Sequence, residues 1–116
     1  MAAGVEDIRS TLQKRAAASA ARAQLRARAL SAKLPNAIEI LTRHGAERTW
    51  VFGSLARGDA SDTSDVDLAV EGLPAGAYFQ ALAELMHLFG VRVDLVRLEE
   101  AGESLRACVR EEGRPL

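Results

Sequence analysis

Gly53-Ser54-Leu55-Ala56-Arg57-Gly58-Asp59-Ala60-Ser61-Asp62-Thr63-Ser64-Asp65-Val66-Asp67 separates two apolar runs, Trp50-Val51-Phe52 before it and Leu68-Ala69-Val70 after it. The residue types predict one strand over Thr49 to Phe52 and a second over Asp65 to Glu71, with a tight polar turn opening at Gly53. Alternate side chains leave opposite faces of a strand, so Asp65 and Asp67 would share one face while Val66 and Leu68 enter the other. Two like charges side by side raise each other's proton affinity unless a cation lies between them. The pair therefore asks for a metal. Hard oxygen ligands suit Mg²⁺, which commonly takes one or two carboxylates and completes its shell with water and phosphate oxygens.

The turn has its own chemistry. A glycine after a strand leaves backbone N–H groups free to meet an anion, a following helix start adds a favourable dipole, and the Ser54 hydroxyl is a further donor. Gly53 and Gly58 stand at the separation of the two P-loop glycines, but Asp59 and Ala60 occupy the places of the Lys and Ser/Thr, which rejects a P-loop. Arg57-Gly58-Asp59 spells an adhesion tripeptide, a reading set aside because no export signal accompanies it. Asp59 and Asp62 read as turn and cap residues. A third acid behaves differently: Asp94 is alone in the apolar run Val91-Arg92-Val93-Asp94-Leu95-Val96, where a charge is tolerated only with compensation. If that third strand pairs beside the second, Asp94 completes a three-carboxylate cluster able to hold two metal ions.

Around this centre the chain reads as helices. Val5 to Leu34 is rich in Ala, Arg, Leu and Gln without internal Gly or Pro, predicting one long helix whose stripe of Ile8, Leu12, Ala16, Ala23, Leu30 and Leu34 is mostly methyl-sized in the middle. Such a helix either crosses closely over its own domain or projects toward another chain. Pro35 restarts a second helix running to His44, with Gly45 as its stop. Ala77 to Phe89 carries Phe79, Leu82, Leu85, Met86 and Phe89 at helical spacings, predicting one apolar face. Leu98 to Glu111 is a last helix with Leu105, Cys108 and Val109 inward. Cys108, the single cysteine, is expected as a small buried hydrophobe. His44 and His87 are expected at surface or helix-edge positions. The fold class is α/β (α+β): a small mixed sheet of about three strands with helices packed on it, preceded by a long N-terminal helix. The expected division is 1–34 for that helix and 35–116 for one compact unit.

Composition is consistent with one domain: 116 residues, 48% hydrophobic and 27% charged. No run approaches 18 apolar residues and no signal peptide is evident, so a cytoplasmic protein without membrane partners is expected. The net charge of −1 conceals an asymmetry, with nine basic and four acidic residues up to Trp50 but six basic and twelve acidic ones after it. The basic charges interleave with alanines and lack aromatic company, so they read as solvated helix face, and nucleic acid is not expected as a direct partner.

Gly53-Ser54, ten intervening residues, Asp65-Val66-Asp67 and the later Asp94 resemble the nucleotidyltransferase superfamily shared by DNA polymerase β and aminoglycoside nucleotidyltransferases. Within it the pattern is most similar to the minimal nucleotidyltransferases, which Arg57-Gly58 and Ser64 also fit, over about Ala37 to Gly113. The resemblance implies that Gly53 and Ser54 bind the β- and γ-phosphates of ATP, with Arg57 as a further phosphate contact. It implies that Asp65 and Asp67 hold two Mg²⁺ ions, and that Asp94 ligates one of them or accepts the proton of the attacking hydroxyl. It implies in-line attack at the α-phosphorus and departure of pyrophosphate. Since the chain is too small for a second substrate domain, the acceptor is expected to be another protein. Minimal nucleotidyltransferases resemble antitoxins paired with HEPN-domain toxins, which implies AMP transfer to a toxin tyrosine. Two alternatives stand beside this: a non-catalytic antitoxin acting by occlusion, and a small-molecule nucleotidyltransferase of the aminoglycoside kind.

Overall fold

A computed structural model describes residues 3–61 and 65–116; Asp62 and Ser64, read above as a cap and a motif residue, lie outside the described residues. The chain runs α1 (Ala3–Ala32), α2 (Leu34–Arg43), β1 (Arg48–Phe52), α3 (Gly53–Arg57), β2 (Val66–Glu71), α4 (Tyr78–Phe89), β3 (Val93–Arg97), α5 (Glu103–Glu112) and β4 (Arg114–Pro115). Short 3-10 turns occupy Ala75–Ala77 and Leu98–Glu100. The sheet order is β3-β2-β1-β4: β2 lies antiparallel to β1 and parallel to β3, and β4 lies antiparallel to β1. The parallel pair is joined through α4, as parallel strands require a crossover.

Alternation sorts the sheet into two faces. Val51, Leu68 and Leu95 are register partners across β1, β2 and β3, all buried, and with Leu41, Leu85 and Phe89 they form the main core under α2 and α4. On the opposite face Phe52 and Ala69 pack with Leu98 and Val109 below α5.

Several expected boundaries shift, each for a local reason. A fourth strand exists at Arg114–Pro115, too short for any periodicity to announce. The turn at Gly53 is a helical turn, closed by Gly58 in the left-handed conformation (φ +80°) with its N–H on the Ser54 carbonyl. Leu98–Glu100 is a separate 3-10 turn, so α5 starts at Glu103. The apolar face expected of α4 divides in two: Ala81, Leu85 and Phe89 are buried, whereas Phe79 and Met86 are exposed. Cys108 is half-exposed rather than buried, because Leu105 and Val109 take the sheet-facing positions of α5 and Cys108 falls beside them, donating to Glu112 Oε2 at 3.6 Å. His44 ends α2 and makes a short hydrogen bond to Glu84 of α4, and His87 is exposed.

Helix α1 projects. Ile8, Leu12 and Leu25 are exposed, and only its last turns reach the core, through Ala27 and the buried Leu30. Deleting residues 1–22 is accordingly expected to change unfolding free energy by no more than about 0.5 kcal/mol. Leu30→Ala should cost about 3 kcal/mol, both read by urea denaturation.

Candidate active site

β1 ends at Phe52, whose register partner on β2 is Asp67, whose partner on β3 is Asp94. The three residues form one row across the sheet, on the face opposite the main core, with neighbouring strands about 4.8 Å apart. The parallel pairing of β2 and β3 therefore sets Asp67 beside Asp94. Asp65 stands one residue before β2 rather than within it.

Gly53 follows Phe52 and reverses the chain directly above this row. Its φ is +70°, and a Cβ built there would lie 2.2 Å from Asp67 Oδ2 and 3.0 Å from Asp67 Cγ. Only a residue without a side chain lets the bend sit on the carboxylate. Ser54 follows in the first turn of α3, where backbone N–H groups have no partner within the helix. Arg57, at the end of α3, donates through Nε to Asp59 Oδ2 at 3.0 Å and through Nη1 to Glu112 Oε2 at 3.1 Å.

The electrostatics agree with the geometry. The Asp67 carboxyl is raised from 3.8 to about 6, first by burial, then by the charge of Asp94 and a hydrogen bond with it, then by the charge of Asp65; Arg57 opposes the shift. Asp94, with 48% of its side chain exposed, has Arg92 Nε at 3.6 Å as its basic neighbour. Among the described residues no group of three acidic, histidine or cysteine side chains closes on one point. The donor set is thus the Asp67–Asp94 pair with Asp65 close enough to be felt. Adjacent hard oxygens carrying more negative charge than the surroundings neutralise fit Mg²⁺.

An open cavity of about 540 Å³ borders the pair, lined by Phe52, Asp67 and Asp94 with Tyr78, Leu82 and Met86 of α4. A second of about 600 Å³ continues along the edge of β3 past Tyr78, Phe79 and Leu105. The exposed side of α4, read from periodicity as core, is therefore a wall of the site. Gly53 and Ser54 are not part of either lining, and Gly53 lies against the Asp67 carboxylate. Sequence reasoning missed Phe52, Tyr78 and Glu112. Register could have found Phe52, since it directly precedes Gly53 at the strand end; nothing local marks Glu112, which arrives from 55 residues away.

Strands carrying paired acids beneath a Gly-Ser bend define a nucleotidyltransferase fold. Residues 36–116 match the polymerase beta nucleotidyltransferase family model, and the chain belongs to that family. Its relatives include the protein adenylyltransferase MntA of Thermococcus cleftensis, 44% identical over 61 residues that cover 50% of this chain and 62% of that protein. The chain thus matches less than two thirds of that relative's length. A solved structure described as a minimal nucleotidyltransferase superimposes with a TM-score of 0.69 at 36% identity, covering 78% of this chain and 95% of that one. The crystal structure of a toxin–antitoxin with AMP-PNP superimposes with a TM-score of 0.61 at 28% identity, covering 67% of each chain. No described helix is long and apolar enough to cross a membrane.

Proposed function

We propose that this protein is a Mg²⁺-dependent nucleotidyltransferase that moves AMP from ATP to a tyrosine of a HEPN-domain toxin, acting in the cytoplasm as the antitoxin. The row of Phe52, Asp67 and Asp94 beneath the Gly53 bend carries the reading. The adenylyltransferase name of the Thermococcus relative and the toxin–antitoxin described with AMP-PNP support the donor and the partner.

In this mechanism Gly53 and Ser54 bind the β- and γ-phosphates through the open N–H groups of α3 and the Ser54 hydroxyl. Arg57 adds a charged donor on the same short helix. When bound, two Mg²⁺ ions would be held by Asp65 and Asp67 and would supply neutralising charge at the reacting phosphate. Asp94, on the open edge strand and half-exposed to the cavity, takes the proton of the acceptor hydroxyl. The acceptor oxygen bonds the α-phosphorus, the bond to the bridging oxygen breaks, and pyrophosphate departs. Phe52, Tyr78 and Leu82 give that cavity apolar walls.

Incubation with α-labelled ATP, Mg²⁺ and a HEPN-domain toxin should place label on a toxin tyrosine and abolish its nuclease activity. Inhibition without label, persisting in Asp65→Asn and Asp67→Asn, would replace catalysis with occlusion. Label appearing only on an added aminoglycoside would replace the protein acceptor with a small molecule.

A further inference from the structure

We propose that Glu112 is a positioning residue for nucleotide binding: it holds the Arg57 guanidinium so that its remaining nitrogen meets the triphosphate. The inference rests on the reading of Arg57 as a phosphate contact.

Two acids grip that guanidinium. Asp59 accepts from Nε at 3.0 Å and Glu112 accepts from Nη1 at 3.1 Å, which leaves Nη2 without a partner among the described residues. The guanidinium is held more firmly protonated by both, Asp59 contributing more. Arg57 is close enough to Asp67 to favour its ionised form, so it is held within electrostatic reach of the acid row. A guanidinium fixed on two sides by planar carboxylates loses little further freedom when it forms its next hydrogen bond.

The two grips differ in what fixes them. Asp59 is two residues from Arg57 and exposed, so it follows the arginine wherever the loop goes. Glu112 belongs to the last turn of α5, on a separate element anchored from both directions. Behind it, Val109 is buried under the sheet and its carbonyl accepts from the Gly113 N–H at 2.8 Å. Ahead of it, β4 pairs Arg114 with Val51, and the Leu116 N–H donates to the Thr49 carbonyl at 2.9 Å. Glu112 Oε2 also accepts from Cys108 Sγ at 3.6 Å. The sheet thus locates Glu112, and Glu112 locates Arg57, so the C-terminal strand reaches the phosphate site through one ion pair.

The test is ATP binding in the presence of Mg²⁺, titrated calorimetrically on the full chain. Glu112→Gln should weaken ATP binding about fivefold, because a neutral amide holds the guanidinium less firmly than a carboxylate at the same length. Arg57→Ala should weaken binding at least as much, and Arg57→Ala/Glu112→Gln no more than Arg57→Ala alone, because the two act as one unit. In the transfer assay the Glu112→Gln defect should appear in KM for ATP with kcat unchanged. Wild-type protein that fails to bind ATP would overturn the nucleotide reading itself. Wild-type binding with Glu112→Gln equal or tighter, or additive losses in the double variant, would overturn only the role of Glu112.

Discussion

An Asp67→Asn variant should lose nucleotide transfer by on the order of 10³-fold and yet melt higher than the wild type in metal-free buffer. The two effects have one origin. Burial and the neighbouring acids raise Asp67 from 3.8 to about 6, so the folded protein holds this proton more tightly than the unfolded chain does. The associated stability is fully present below pH 3.8 and is lost as pH rises through about 6, which leaves the ionised form strained at neutral pH. Asparagine keeps the shape without the charge. Because Asp67 is only half-buried, solvent screening reduces the shift to a gain of about 1 kcal/mol at pH 7, or roughly 5 °C. Differential scanning calorimetry from pH 4 to 8 reads both parts: wild type and variant should converge at the acid end and separate toward neutrality. Mg²⁺ should raise the wild-type melting temperature and leave the variant's in place. Equal melting behaviour at all pH values would remove the strain.

Gly53→Ala should be the more damaging change to the fold. It forces a side chain into a backbone with φ +70° and sets a Cβ 2.2 Å from Asp67 Oδ2, where no flexible chain end can yield without moving the acid. A cost of about 2 to 4 kcal/mol is expected, together with loss of transfer, since either the bend lifts or the carboxylate turns. The cause can be separated by a second substitution. Asp67→Ala in the Gly53→Ala background removes the atoms being struck, so the double variant should be more stable than the sum of the two single losses, by about 1 kcal/mol or more. Strict additivity in urea denaturation would place the damage in backbone strain alone.

What the residues announced and what they concealed follow one physical division. The pairing of Asp94 beside Asp67 is legible from a lone charge in an apolar strand, although the structure also gives that charge an exposed edge-strand position next to Arg92. Phe79 and Met86 are exposed although their spacing is apolar, since helical spacing reports which residues share a side, not which of two apolar sides meets the core. Cys108 differs from its buried neighbour Val109 by one position for the same reason. β4 comprises only Arg114 and Pro115, and a proline there is tolerated only because the strand is an edge. Its existence depends on β1 having a free side, a tertiary fact. The grip of Glu112 on Arg57 joins elements 55 residues apart, and no window along the chain contains both.

The exposed α1 gives the molecule a hydrodynamic signature. A 30-residue helix is about 45 Å long, and the particle measures 66 × 29 × 19 Å with a radius of gyration of 18.1 Å. A rounded chain of this length would have about 13 Å. Friction scales with the long axis, so on a size-exclusion column a 12.4 kDa monomer should elute early, at the volume of a heavier sphere. Removing the rod should delay it by more than the lost mass explains.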